Sequence, residues 1–327
     1  MAFSGTVSTT TFTTRQVIDH AYRRCRIPTQ KISSEMLTIA KDCLYLILSD
    51  IANYRTPSWC IEKIILPMYI NQVVVPCPVG TVETLNLNYR QLNQLTGTET
   101  VTSSTYQVEF SSATAVSTAG IKWLSASPAS FSLQRSDDGI TWVNLQTITT
   151  AYSSGEWSWF DISQPIGALY FRVTTGGTLS YEEIYLGNTP MEIPMSSLSR
   201  DSYVNQSNKV FQGRPVNYWF QRDINQPILN IWPAPNAAAE HAQIILWRHR
   251  YIDDVGSLTQ ELNIPQRWYD AIVTKLAASL VLESDGVDVN LIPLLQSLAQ
   301  TAFDKAENGD TDHSPMMITP SIGVYTR

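Results

Sequence analysis

The sequence predicts an α+β protein: a helical core with a small β-part, interrupted by an all-β insertion. Three observations lead there. Apolar residues recur at three- and four-residue steps near both ends of the chain, the spacing of one helix face. Short alternating segments bounded by turn residues fill the middle. Composition shifts at about Thr98, where residues 98–118 hold six Thr and five Ser with only Glu99 and Glu109 charged.

The helical reading begins at Thr13. Gln16 follows three residues later, a capping-box pair that predicts a helix over Arg15–Cys25. Pro28 breaks the chain, and Ser33 or Ser34 caps a longer helix to about Asn53. Met36, Ala40, Cys43, Ile47, Ile51 and Tyr54 mark its apolar face, widened by Leu37, Leu44 and Leu48. So wide a stripe needs more than one neighbour, within the chain or in another copy. Ile61–Leu66 and Gln72–Val75 are β-branched and apolar and read as strands, with Pro76, Pro78 and Gly80 turning the chain.

In the inserted region Phe131, Leu133 and Arg135 alternate with Ser132 and Gln134, and Asp138-Gly139 predicts a two-residue hairpin turn. Ile140, Trp142 and Val143 begin the return strand. Trp157 and Trp159, two apart, share one side of a strand, where they serve either as core or subunit contact or as a sugar-stacking platform. Asp137 and Asp138 read as solvated turn residues rather than a calcium site. Tyr170–Thr174 and Ile184–Leu186 supply further strands across the Gly176-Gly177 turn.

Beyond the insertion, Val216, Tyr218 and Phe220 alternate with Asn217, Trp219 and Gln221, then Asp223–Pro227 turns the chain into Ile228–Trp232. This is a β-hairpin closed by Pro233 and Pro235. Gln243–Trp247 is a strand. Arg248, His249 and Arg250 form the densest basic cluster, with Asp253, Asp254 and Glu261 as expected partners. Pro265 opens a helix on Trp268 or Tyr269, Ile272, Leu276 and Leu280. Asn290 caps the last helix, whose inner stripe is Leu291, Leu294 or Leu295, Leu298 and Ala302. The two should pack as an antiparallel pair. The last segment is broken by Pro315 and Pro320 yet rich in Met316, Met317, Ile318, Ile322, Val324 and Tyr325, which suits an arm laid on another subunit.

Composition narrows the function. The 327 residues suggest two domains, and 43% hydrophobic content supports a substantial core. Charged residues make up only 16% and the net charge is −7, which argues against binding nucleic acid through phosphate contacts. Cys25, Cys43, Cys60 and Cys77 are widely spaced with no Cys-x-x-Cys, so free buried thiols are expected, with no metal and no cofactor. The first residues lack the basic and apolar regions of a signal peptide, and no apolar run approaches the ~20 residues that cross a bilayer. No Gly-x-Ser-x-Gly, phosphate loop or His-Glu-x-x-His is present. Glu182 and Glu183 are adjacent, so on a strand they face opposite sides and cannot act as a pair. An enzyme is not expected.

The order of Asn208-Lys209, Phe211-Gln212-Gly213-Arg214-Pro215, the aromatic strand ending in Arg222, Trp232-Pro233-Ala234-Pro235, Arg250–Asp254 and Ile264–Trp268 resembles the head-to-tail adaptor proteins of short-tailed bacteriophages. The resemblance covers most of 12–97 and 190–307. It implies a structural virion protein at the head-tail junction, assembled in the host cytoplasm as a dodecameric ring that joins portal protein to tail nozzle protein. Genomic DNA would pass through its channel, which a negative net charge suits, without sequence-specific binding. Residues 308–327 would be an extended arm that clasps the portal through Met316, Met317, Ile318, Ile322, Val324 and Tyr325. Phe211, Arg214, Tyr218, Trp219 and Arg222 would contact the nozzle or another subunit.

Phe131–Trp142, Tyr170–Val173 and Glu183–Leu186 resemble a discoidin-type jelly roll. The expected organisation is therefore core 1–97, discoidin-like jelly-roll insertion 98–189, core 190–307 and arm 308–327. The insertion would project outward toward tail fibres, tailspikes or neighbouring subunits. The competing reading is a phage tail or surface protein whose discoidin-like domain holds host glycan, the rest acting as carrier.

Overall fold

In the computed structural model, which describes residues 11–54, 57–283 and 289–311, Thr13 caps α1 (Thr14–Arg24) as the capping box requires. The Thr13 N–H donates to Gln16 Oε1 at 2.9 Å, and the Gln16 N–H donates back to Thr13 Oγ1 at 3.3 Å. Of the two serines before α2 (Ser34–Tyr54), Ser33 is the one whose Oγ accepts an amide, that of Met36. Then come β1 (Ile61–Pro67), β2 (Val74–Pro76) and the 14-residue β3 (Thr81–Gln94). β4 (Thr98–Val101), β5 (Thr105–Thr114), β6 (Thr118–Trp123), β7 (Phe131–Ser136), β8 (Val143–Ile148), β9 (Trp157–Asp161) and β10 (Ala168–Thr175) follow. A second 14-residue strand, β11 (Tyr181–Pro194), closes this series. The short β12 (Ser196–Ser197), α3 (Arg200–Val204) and β13 (Gln212–Gly213) precede the hairpin of β14 (Asn217–Gln221) and β15 (Ile228–Trp232). Last are β16 (Ala234–Pro235), β17 (Gln243–Arg250), α4 (Gln266–Glu283) and α5 (Ile292–Asp310).

Two compact units result, 1–61 with 250–327, and 62–249. The first is helical and joins α1 and α2 with α4 and α5 around one core. Val17, Ile18, Ala21 and Tyr22 of α1 pack with Leu44 and Ile47 of α2 and with Ile272, Leu276 and Leu280 of α4. Arg267 at the start of α4 pairs with Asp310 at the end of α5, and Trp268 meets Phe303 edge-on at 5.5 Å, so the two helices are antiparallel. Leu291 replaces Asn290 as the cap of α5 and makes no side-chain cap bond. The expected inner stripe is rotated: Leu295, Ala299 and Ala306 are buried, while Leu294 and Leu298 stand 55% and 47% exposed. Leucines fill both sides of the helix in sequence, so spacing alone could not select the inner row.

The second unit is β-structured, and the protein as a whole, sandwich included, is 37% strand and 29% helix. A five-stranded sheet, β4-β5-β10-β7-β8, faces the β11-β6-β9 side of a six-stranded sheet, β1-β17-β3-β11-β6-β9. Their inner faces make a β-sandwich core. Tyr106, Val108, Phe131, Leu133, Phe171 and Val173 come from the first sheet, and Ala119, Ile121, Trp123, Phe160 and Leu186 from the second. A separate four-stranded sheet, β12-β14-β15-β2, packs Tyr218, Leu229 and Ile231 against Leu87, Tyr89 and Ile244 of the six-stranded sheet.

The sandwich and the hairpin region thus share one sheet. β11 runs through position 189/190 without a linker, pairing with β6 over 181–187 and with β3 over 187–194. A bulge lies between Asn188 and Met191, and Thr189 there has φ 49°. The Asp138-Gly139 turn is also longer than two residues: β7 ends at Ser136 and β8 starts at Val143. Asp138 holds this loop by accepting the N–H groups of Ile140 at 2.9 Å and Thr141 at 2.7 Å. A side chain that ties down the following amides removes the need for a tight hairpin.

Candidate interaction surfaces

The hairpin positions its side chains by alternation. Tyr218 and Ile231 are paired on the inner face, and Tyr218 is only 5% exposed. It belongs to the core and corrects the expectation of a nozzle contact. Trp219 lies on the opposite face, half-buried and 5.6 Å from the ring of Tyr203 on α3. Arg222 is exposed and pairs with Glu83 at 3.0 Å. Arg214 and Phe211 are exposed too, with Phe211 tilted over Trp232 at 6.4 Å. Exposed apolar side chains therefore stand at both ends of the hairpin, Val210 and Phe211 at one and Ile224 at the other. The second end was missed by periodicity because single apolar residues in turns carry no period. Gln226 links its loops by donating to the Cys77 carbonyl at 2.9 Å.

The opposite edges of the six-stranded sheet, β1 and β9, curl toward each other. Lys63 Nζ on β1 lies 2.8 Å from Asp161 Oδ2 on β9, and Tyr69 accepts the Trp157 N–H at 3.1 Å. The enclosed face carries Arg90, 2% exposed, whose Nη1 is 2.9 Å from Asp161 and whose Nε donates to Gln243 Oε1 at 2.6 Å. Burial opposes ionisation of Asp161, but the Lys63 hydrogen bond and the Arg90 charge outweigh it and hold the carboxyl below its usual range. Every charge in this network is answered, which suits a structural clasp rather than a site that receives a ligand.

Trp157 and Trp159 lie on the same enclosed face. Their rings stack at 4.9 Å, pack with Leu92 and Tyr185, and are 6% and 8% exposed. No ring face is open to a sugar, so the platform expectation is corrected to the core alternative. Gly120 makes room for them; a Cβ there would sit 2.4 Å from the Trp159 ring. An aromatic does reach the outer face of the five-stranded sheet. The loop 137–142 folds back so that Trp142 lies 3.8 Å beneath the guanidinium carbon of Arg172, whose Nε donates to Gln134 at 2.7 Å. Tyr170 donates to Glu109 beside it at 2.9 Å.

The basic cluster divides. Arg248 is buried and bonds Glu62, Thr81 and the Pro78 carbonyl, while Arg250 pairs with Asp253 at 3.1 Å as expected. Burial pushes the pKa of His249 down. All four cysteines are buried and unbridged. Among the described residues no group of three or more His, Cys, Asp or Glu could hold a metal ion, and no helix is long and apolar enough to cross a membrane. The proposed portal-binding residues Met316, Met317, Ile318, Ile322, Val324 and Tyr325 lie outside the described residues.

In the helical unit, two hollows flank exposed apolar side chains. One of about 430 Å³ lies among α1, α4 and α5, walled by Leu294 and Leu298 and rimmed by Arg24, Arg26 and Lys305. Another of about 410 Å³ lies between α2 and residues 251–254, beside Tyr45, 55% exposed.

No protein-family model matches the chain, and no curated protein matches it significantly. Solved carbohydrate-active proteins resemble parts of it. The C-terminal domain of a chitobiase from Bacteroides fragilis is 10% identical, covering 27% of this chain and 64% of that domain, at a TM-score of 0.23. CBM32-1 from a family 31 glycoside hydrolase of Clostridium perfringens is 12% identical over 41% of this chain and 99% of its own, at 0.24. Chitosan-binding module 1 from a Paenibacillus sp. IK-5 chitosanase/glucanase is 19% identical over 36% and 96%, at 0.22. At such TM-scores the likeness carries no argument, and the β-sandwich rests on the sheets described above.

Proposed function

We propose that the chain is a structural connector, a head-to-tail adaptor of a short-tailed bacteriophage whose copies ring the DNA channel between portal and tail nozzle. The observation that supports this reading is the set of large apolar side chains left uncovered on the helical unit: Tyr45, Leu46, Leu294 and Leu298, each about half exposed or more. Apolar faces of this kind on a packed helical core mark contacts with other chains. Residues 308–310 complete α5, so the arm starts later than the expected 308; the segment after α5 clasps the portal, and the hairpin tips meet the nozzle through Phe211 and its neighbours. Deleting 312–327, which leaves α5 and its Asp310–Arg267 pair intact, abolishes co-sedimentation with portal rings and leaves the melting temperature unchanged; undiminished co-sedimentation overturns the clasp.

A second reading takes the sandwich as a discoidin-like module that holds host glycan. The Trp142–Arg172 pair favours it, since an aromatic ring among Gln134, Tyr170 and Glu109 offers both a stacking surface and hydrogen-bonding groups. On a glycan array this reading gives a signal that Trp142→Ala removes. A blank array leaves the sandwich as a spacer.

A further inference from the structure

We infer that the corner between α1 and α2 is a contact surface for the phosphate backbone of double-stranded DNA, formed by Arg23, Arg26 and Lys31 with Lys305 beside them. It rests on the connector reading for the source of that DNA, and adds the side chains that would touch it.

Most bases of this protein are answered by its own acids. In the densest basic run of the sequence, Arg248 is buried against Glu62 and Arg250 holds Asp253. Residues 20–34 differ: they contain Arg23, Arg24, Arg26 and Lys31 and no acid, in a chain of net charge −7. All four bases are exposed. Arg24 pairs with Asp270, whereas Arg23, Arg26 and Lys31 form no ion pair among the described residues. Exposed Lys305 lines the same hollow as Arg24 and Arg26, likewise without an ion pair. Its neighbour Asp304 accepts the Gln300 amide at 2.7 Å. The acids that border the corner in sequence are Asp19, held by Arg15 at 2.9 Å, and exposed Glu35. Net charge is an average over the surface, and a local cluster of unanswered bases is what attracts a polyphosphate.

Arg26 stands where a side chain is a burden. α1 ends in a Schellman turn, in which the Ile27 N–H donates to the Tyr22 carbonyl at 2.9 Å and the Arg26 N–H to the Arg23 carbonyl at 3.0 Å. Arg26 therefore has φ 63°, in the left-handed region that glycine fills at least cost. Nothing inside the chain offsets that strain, since its guanidinium meets no acid; a phosphate outside would. The surroundings favour DNA over a membrane surface. Gln30, Ser33 and Ser34 are exposed between the bases, and Ile27 and Ile32 pack on the helical core. No large apolar side chain from 20 to 35 stands exposed. Amides and hydroxyls donate to phosphate oxygens, whereas a membrane surface needs an apolar wedge. Leu294 and Leu298 in the adjoining hollow are exposed, so anionic vesicles are the competing probe. A few phosphate contacts carry no sequence information and stay weak and salt-sensitive, which lets DNA move past.

The test uses the full chain and a fluorescent duplex of about 30 base pairs, read by anisotropy from about 20 to about 200 mM NaCl. On logarithmic axes, affinity should fall against salt with a slope of about −3 to −4, the release expected for three or four phosphates. Arg26→Gly should weaken binding about eightfold at about 0.1 M salt and flatten the slope by about one. It should melt no lower than the parent, because glycine relieves the turn. Arg23→Gln with Lys31→Gln should flatten the slope by about two. Lys209→Gln, at a base of the other unit that has no acid partner among the described residues, should change neither affinity nor slope. Corner variants that bind DNA like the parent, a parent that binds none at the lowest salt, or binding to phosphatidylglycerol vesicles alone would overturn the inference. Each of these leaves the connector reading standing, since co-sedimentation with portal rings decides that separately.

Discussion

Arg90 and Asp161, 71 residues apart in sequence, meet at 2.9 Å on the enclosed face of the six-stranded sheet. Arg90 lies on β3 and Asp161 on β9, with Lys63 of β1 completing the clasp. The pair binds a strand that precedes the β-sandwich to one inside it. This contact predicts that Arg90→Ala lowers the unfolding free energy by about 3 kcal/mol, because it empties the space of a buried side chain, takes one of two cations from Asp161 and leaves Gln243 Oε1 without the Arg90 donor. Urea titration measures the loss. A change below about 1 kcal/mol would show that the clasp is dispensable.

Acid should loosen the same contact. The folded carboxyl of Asp161 is held below its ordinary range, so its contribution is present in full above about pH 4, the unfolded value. It is lost as pH falls through the folded value. Melting temperature should therefore hold steady from pH 7 to 5 and drop below about 4, and the curve of Asp161→Asn should converge on that of the parent there. Parallel curves would assign the acid sensitivity to other groups.

Gly120→Ala should be costly although it adds a single methyl group. The new Cβ meets the Trp159 ring at 2.4 Å, and that ring is fixed by its stack on Trp157. A loss of about 1–3 kcal/mol is expected, with part of it recovered in combination with Trp159→Leu. Additive effects of the two changes would contradict the packing described.

The cysteines should be silent in the native protein. Burial raises the thiol of Cys25 to about 11 and that of Cys77 to about 12, and burial with the nearby Glu283 takes Cys43 to about 12. At pH 8 a thiol reagent should label the chain slowly and reach all four cysteines only in denaturant. Rapid native labelling would show a thiol open to solvent.

Much of the fold was legible locally. Thr13 and Gln16 carried the first helix because a capping box is a contact between near neighbours, and the hairpin alternation placed β14 and β15. Tertiary choices were less legible. The partners of Arg90 are 71 and 153 positions away, and nothing in their own neighbourhoods marks them. Trp157 and Trp159 share a side of their strand as spacing requires, but only the curl of the sheet decides that this side is closed. Tyr218 and Trp219 look alike in sequence and differ by one step of alternation, so one fell inside and the other on the opposite face. Leu294 and Leu298 could not be told from Leu291 and Leu295 without knowing where α4 lies. The Trp142 surface needed the Asp138 loop, whose length hid behind a strong Asp-Gly signal.

The central claim is that this chain joins a portal to a tail, and the mass of the purified protein tests it most directly, alone and mixed with portal rings of the same virus. The account predicts a discrete complex in which a ring of copies sits on each portal. A chain that remains monomeric and leaves the portal mass unchanged would contradict it.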